Sequence, residues 1–119
     1  MSRSGLNFGK WGEDMACAFL KRHGFFVRER NYHTPVGELD IIAEKGGDYY
    51  FVEVKTRREG EMANDLAITR EKKRRLEKTV RHYCYKRNIP ETGLILAGLI
   101  ITVSAKTKTL KFRFVAFGS

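Results

Sequence analysis

Two adjacent glycines, Gly46 and Gly47, constrain this chain more than any other feature. Gly-Gly is one of the few pairs that supplies the positive φ angles of a tight hairpin turn. On either side lie GELDIIAE (37–44) and the run from Tyr49 to Thr56, both with the β-branched and aromatic content and the alternation of strands. With the glycines at the tip, facing residues pair symmetrically about them: Asp40 with Glu53, and Glu38 with Lys55. Period-two alternation then puts Glu38, Asp40, Glu53 and Lys55 on one face, directly opposed Cβ atoms lying about 5 Å apart. Leu39, Ile41, Tyr50, Val52 and Val54 fall on the other face as core material. Opposed carboxylates repel, at a cost of about 0.2–1 kcal/mol or more when partly buried, so something must offset them. Lys55 can do so as a plain ion pair on a solvated sheet face. A divalent cation can do so as well, since Mg²⁺ favours one or two carboxylates with water and phosphate oxygens completing its shell. Both readings stand on this pattern alone.

The rest of the chain supplies the frame. Residues 9–23 read as a helix, with Gly9, Trp11, Gly12, Met15, Ala16, Phe19 and Leu20 filling about half of a helical wheel. A strand is expected over 25–31, a turn with Pro35 over 32–36, and an exposed loop over 58–65. A second helix is expected over 69–87 with Thr69 as its N-cap. Leu94–Val103 is apolar on both faces, as in a central strand, and Leu110–Phe117 alternates like a strand with one wet face. The order α-β-β-β-α-β-β specifies an α/β fold, a mixed sheet with helices packed on it. A chain of 119 residues without repeats or linkers reads as one domain.

Two further charges point at the sheet. Glu13 borders the buried stripe of the first helix, either as a rim charge near a helix N-terminus or as a carboxylate reaching over the sheet. Lys72 precedes Leu76 and Val80 at four-residue steps, so it shares their inward stripe and needs an anionic partner unless its stem snorkels outward. Twenty-three Lys and Arg against fourteen Asp and Glu give a net charge of +9, which suggests a polyanionic partner, most often nucleic acid. The second helix alone has nine basic and two acidic residues, with Arg74, Arg75, Lys78 and Arg81 off its apolar stripe. These, with Arg57, are the expected phosphate contacts; a solvated helix face is the plainer reading. No run is long and apolar enough for a membrane span, and no secretory signal opens the chain, so a cytoplasmic protein is expected. Cys17 and Cys84 lie in helical patterns without a nearby metal-ligand partner and read as structural thiols.

The runs GKWGEDMACAFL from Gly9, RERN (28–31), GELDIIAE (37–44), FVEVKTR (51–57) and AITREKKRRL (67–76), with Val115-Ala116-Phe117, resemble the UPF0102 family of bacterial proteins. That family is similar to Holliday-junction resolvases and restriction endonucleases, which hold a PD-(D/E)xK motif on a helix-strand-strand-strand-helix-strand fold. The resemblance implies a restriction-endonuclease-like α/β fold and a Mg²⁺- or Mn²⁺-dependent endonuclease that hydrolyses DNA phosphodiester bonds, branched or junction DNA included. It implies Asp40 as the first acidic residue, Glu53 and Lys55 as the E-x-K pair, Glu13 as the helix-one carboxylate and Lys72 as the basic residue of the second helix. Asp40, Glu53, Glu13 and the Val54 carbonyl would then be metal ligands, and Lys55 would orient water or stabilise charge on phosphorus. Glu38 belongs to the GE-hydrophobic-D pattern without an assigned role. Resolvase-like nucleases often act as dimers, so a homodimer is open to this chain. One departure is plain: members often have Arg-Phe-Asp-Val where this chain has Ala97-Gly98-Leu99-Ile100. A non-catalytic nucleic-acid-binding module of the same fold, and an interaction protein whose charges only pair with one another, are the alternatives.

Overall fold

A computed structural model describes residues 2–60 and 69–118, with side chains over 9–60 and 69–117. Gly46 and Gly47 sit at φ 59° and 87°, the double positive φ that a type I′ turn requires and that glycine reaches without a Cβ clash. The elements follow as α1 (Ser2–Arg22), β1 (Phe26–His33), β2 (Glu38–Lys45), β3 (Asp48–Arg58), α2 (Arg70–Arg87), β4 (Leu94–Ser104) and β5 (Thr109–Gly118), in the order expected from the sequence. One sheet runs β1-β2-β3-β4-β5. β3 and β4 are parallel, as their connection through α2 allows, and the other neighbours are antiparallel.

Alternation along the strands builds a core on each face. Ile41, Ala43, Val52, Ala97, Leu99 and Ile101 pack with Ala16, Cys17 and Leu20 of α1. Ile42, Phe51 and Leu96 pack with Val80, Tyr83 and Cys84 of α2. The helices therefore cover opposite faces, and β4 is buried on both, as its unbroken apolar run predicts. Burying each such side chain stabilises the fold by about 1.5–3 kcal/mol. Both cysteines are free and buried. Thr69 caps α2, its hydroxyl accepting from Lys72 N–H at 3.0 Å.

Three boundaries differ from expectation by two residues or more. β1 runs on to His33, into the expected turn over 32–36. α1 begins at Ser2 rather than near residue 9, because an apolar stripe reports where a helix packs and not where its backbone bonding starts. β3 runs on to Arg58, and residues 61–65 of the expected loop lie outside the described residues. Among the described residues no helix is long and apolar enough to cross a membrane.

The approach of α1 to β3 is set by Gly12. A Cβ there would lie 2.5 Å from Thr56 Cγ2, on a β-branched side chain that cannot swing away. Gly12→Ala should therefore lower stability by about 1–3 kcal/mol in denaturant unfolding, although Gly→Ala inside a helix ordinarily adds about 1 kcal/mol. Thr56→Ser removes the obstructing methyl and should rescue it. A stabilised single mutant would contradict this packing.

Candidate active site

The β2–β3 ladder ends at Ile41↔Val52. Asp40 and Glu53 come next in register, yet they do not form a backbone pair. The strands part there, and the Asp40 carboxylate enters the gap, accepting Val54 N–H at its Oδ2 (2.9 Å). The expected facing of Glu38 and Lys55 is likewise replaced. Glu38 pairs across to β1, where His33 Nδ1 stands 3.8 Å from its Oε1. β1, the other neighbour of β2, is irregular alongside: its register shifts between Val27 and Glu29, and Asn31 takes a left-handed φ of 54°, irregularities that increase local twist. Leu39 shifts too. Expected beside Ile41, it packs instead with the α2-side cluster of Phe51, Val80 and Tyr83.

The opening is a cleft of about 250 Å³ in which Glu38, Asp40 and Glu53 meet the apolar Phe51 and Leu76. Lys72 reaches in from the first turn of α2, its Nζ 3.0 Å from Glu53 Oε2. Glu53 Oε1 is buried and, among the described residues, has no hydrogen-bond partner. Burial raises the Asp40 carboxyl from 3.8 to about 6; the Val54 N–H opposes this, and the charges of Glu13, Glu53 and Glu38 add to it. Glu13 is mostly buried, with Arg30 Nη2 3.7 Å from its Oε1. The same Nη2 bonds Asp14 at 2.8 Å and holds that carboxyl below its usual range.

Asp40, Glu53 and Lys72 are thus gathered at one notch, with Glu13 near enough for its charge to act on Asp40. Lys55 is not: it stands exposed, outside the cleft lining, with no ion pair among the described residues. Val54 takes part through its N–H. On α2, the exposed Arg74, Arg75 and Lys78 surround one shallow hollow with Glu71, which lies 4.0 Å from Arg75. Arg81 faces another hollow, beside Glu77 and Glu91, and Arg57 turns toward β4, its Nε donating to Thr102 Oγ1 at 3.2 Å. Arg30 is the site residue that sequence reasoning passed over. Its signal was a cation in the half-buried RERN strand, but the turn of β1 that aims it at α1 has no pattern of its own.

The donor set fits a hard divalent cation. Of two neighbouring carboxylates, Asp40 has a single donor, and Glu53, paired with Lys72 through Oε2, has a buried Oε1 without a partner among the described residues. Among the described residues no three His, Cys, Asp or Glu converge as a ligand set. The protein offers two carboxylates with Glu13 behind them, a number that suits Mg²⁺ or Mn²⁺ keeping water and phosphate oxygens.

A sequence profile described as "Uncharacterised protein family UPF0102" matches residues 12–115. This chain belongs to the UPF0102 family. A UPF0102 protein of Dictyoglomus thermophilum is 46% identical over 76 residues, 63% of this chain and 64% of that one. One of Syntrophotalea carbinolica is 52% identical over 58 residues, 49% and 47% of the two chains. One of Dictyoglomus turgidum is 36% identical over 107 residues, 89% and 91% of the two. The chain spans less than two thirds of the first two relatives' length, 64% and 47%, and nearly all of the third, 91%. Leu99 of β4 is fully buried against α1.

Proposed function

We propose that this UPF0102 protein is a metal-dependent endonuclease that hydrolyses phosphodiester bonds of DNA. The observation that carries the reading is the proximity of Asp40, whose carboxyl is pushed up to about 6, to Glu53, one of whose oxygens is buried and has no partner among the described residues. Asp40 and Glu53 would hold Mg²⁺ or Mn²⁺, with Glu13 set behind them by Arg30. When bound, the cation supplies Lewis acidity at a phosphoryl oxygen and a water of lowered pKa. Lys72 fixes the Glu53 carboxylate from α2 and places positive charge beside the reacting phosphate. Lys55, exposed and two residues along β3 from Glu53, would meet a phosphate oxygen or the attacking water. Phe51 and Leu76 keep the floor of the cleft apolar, which strengthens these charge interactions. Arg74, Arg75 and Lys78 supply sequence-independent contacts to the DNA backbone.

A non-catalytic DNA-binding module would use the same basic helix face but would gain nothing from crowding partly buried carboxylates together. Retaining that cost favours the enzyme. The reading is tested by incubating branched and linear DNA with Mn²⁺ and either wild-type protein or Lys55→Ala. Cleavage by the wild type, reduced at least about 10²-fold in Lys55→Ala, is expected. Equal cleavage by both proteins would refute the role of Lys55, and binding without cleavage of any substrate would favour the module.

A further inference from the structure

A second feature lies at the hairpin end of the sheet, about 10 Å (Tyr50) to about 17 Å (Asp48) along β3 from Glu53 at the rise of a strand. There an open hollow of about 480 Å³ is lined by Phe19, Phe25, Tyr50 and Phe114 together with His23 and Lys45. The rings form one layer on the open edge of the α1-side core. Phe25 meets Tyr50 edge-on at 4.9 Å and Phe114 at 5.6 Å, while Phe19 stacks on Phe112 at 4.7 Å. The layer is rigidly mounted. Gly24, at φ 87°, turns the chain off the end of α1, and Phe25 N–H bonds back to the Leu20 carbonyl at 2.9 Å.

Over the Phe25 ring lies the Lys45 ammonium, 5.0 Å from its centroid. A ring face over which a long exposed side chain lies is reachable by a flat ligand once that side chain moves aside, and the displaced ammonium stays beside it to meet an anion. Lys21 and Arg22, in the last turn of α1, add positive charge at the same end. Asp48 is the one carboxylate in the lining; it repels phosphate but accepts from the exocyclic amine of a base. Aromatic faces ringed by cations are the chemistry that binds single-stranded nucleic acid, each stacked base contributing independently of sequence.

We infer that this hollow receives an unpaired nucleobase of a single-stranded segment, with Phe25 as the stacking face and Lys45 pairing with the adjoining phosphate. The inference rests on the nucleic-acid reading above and gives it a substrate class: DNA with an unpaired strand, as in a flap or a fork. Neither Phe25 nor Lys45 belongs to the notch at Asp40.

The test measures anisotropy of a labelled single-stranded oligonucleotide and of a blunt duplex with wild type, Phe25→Leu and Lys45→Ala. Leucine fills the space without a ring face, and Lys45 is exposed, so Lys45→Ala decides the matter if Phe25→Leu fails to fold. Single-strand affinity should fall about tenfold in either variant, duplex affinity should stay within about twofold, and cleavage of linear duplex should be unchanged. A DNA and an RNA oligonucleotide run in parallel separate the two sources of the base. The inference is overturned if the wild type does not bind single strands, if both nucleic-acid forms weaken equally, or if the variants alter self-association in sedimentation and leave single-strand binding alone. A wild type that binds single strands through these residues but cleaves nothing would refute the nuclease and leave this site standing.

Discussion

Replacing Asp40 with Asn should yield a protein that is inert toward DNA and more stable than the wild type. The Asp40 carboxyl titrates near 3.8 when unfolded and at about 6 in the fold, mainly because burial penalises its charge. At 1.36 kcal/mol per unit, holding it ionised costs at most about 3 kcal/mol. A raised folded value means that the native state binds the extra proton, so the carboxyl's penalty is absent below pH 4, grows between pH 4 and 6, and is complete above 6. Asparagine is neutral throughout, and its carbonyl oxygen can still accept the Val54 N–H. Denaturant unfolding with chelator present should therefore show Asp40→Asn more stable by up to about 3 kcal/mol at pH 8 and indistinguishable at pH 4. Added Mn²⁺ should stabilise the wild type and leave the variant unmoved. A variant less stable at pH 8 would mean that the carboxylate is satisfied by the protein alone.

Lys72→Met should move two properties in opposite directions. The ammonium 3.0 Å from Glu53 Oε2 neutralises the carboxylate that a cation would use. Its removal takes a positive charge from beside the proposed metal seat, so Mn²⁺ should bind about tenfold more tightly. The rate constant for cleavage under saturating metal should fall about 10²–10³-fold, the usual loss when one preorganised charge is taken from a reacting anion. Titration calorimetry and single-turnover cleavage read the two separately. A lysine that merely braced α2 against β3 would, when removed, weaken metal binding and cleavage together.

Much of this arrangement was legible in the residues. Gly-Gly set the hairpin and its register, the unbroken apolar run of β4 gave its burial on two faces, and Thr69 gave the start of α2. The spacing of Lys72 with Leu76 and Val80 brought its ammonium to Glu53. The parting of β2 from β3 was not legible, because nothing in the alternation of either strand marks it; nor was the shifted register of β1 with its left-handed Asn31. Alternation assumes an unbroken ladder, so it misplaced Leu39 and made a facing pair of Glu38 and Lys55. Arg30 was missed for the same reason, since its aim at Glu13 and Asp14 is a product of twist and not of periodicity.

The notch at Asp40 and Glu53 as a metal-dependent cleavage site is the central claim. Its most direct measurement is single-turnover cleavage of a junction and a linear duplex in Mn²⁺, with wild type and Asp40→Asn run side by side and their thermal midpoints recorded in the same buffer without metal. The account predicts cleavage by the wild type and none by Asp40→Asn, even though the variant melts at the higher temperature. Cleavage by Asp40→Asn at the wild-type rate would contradict it.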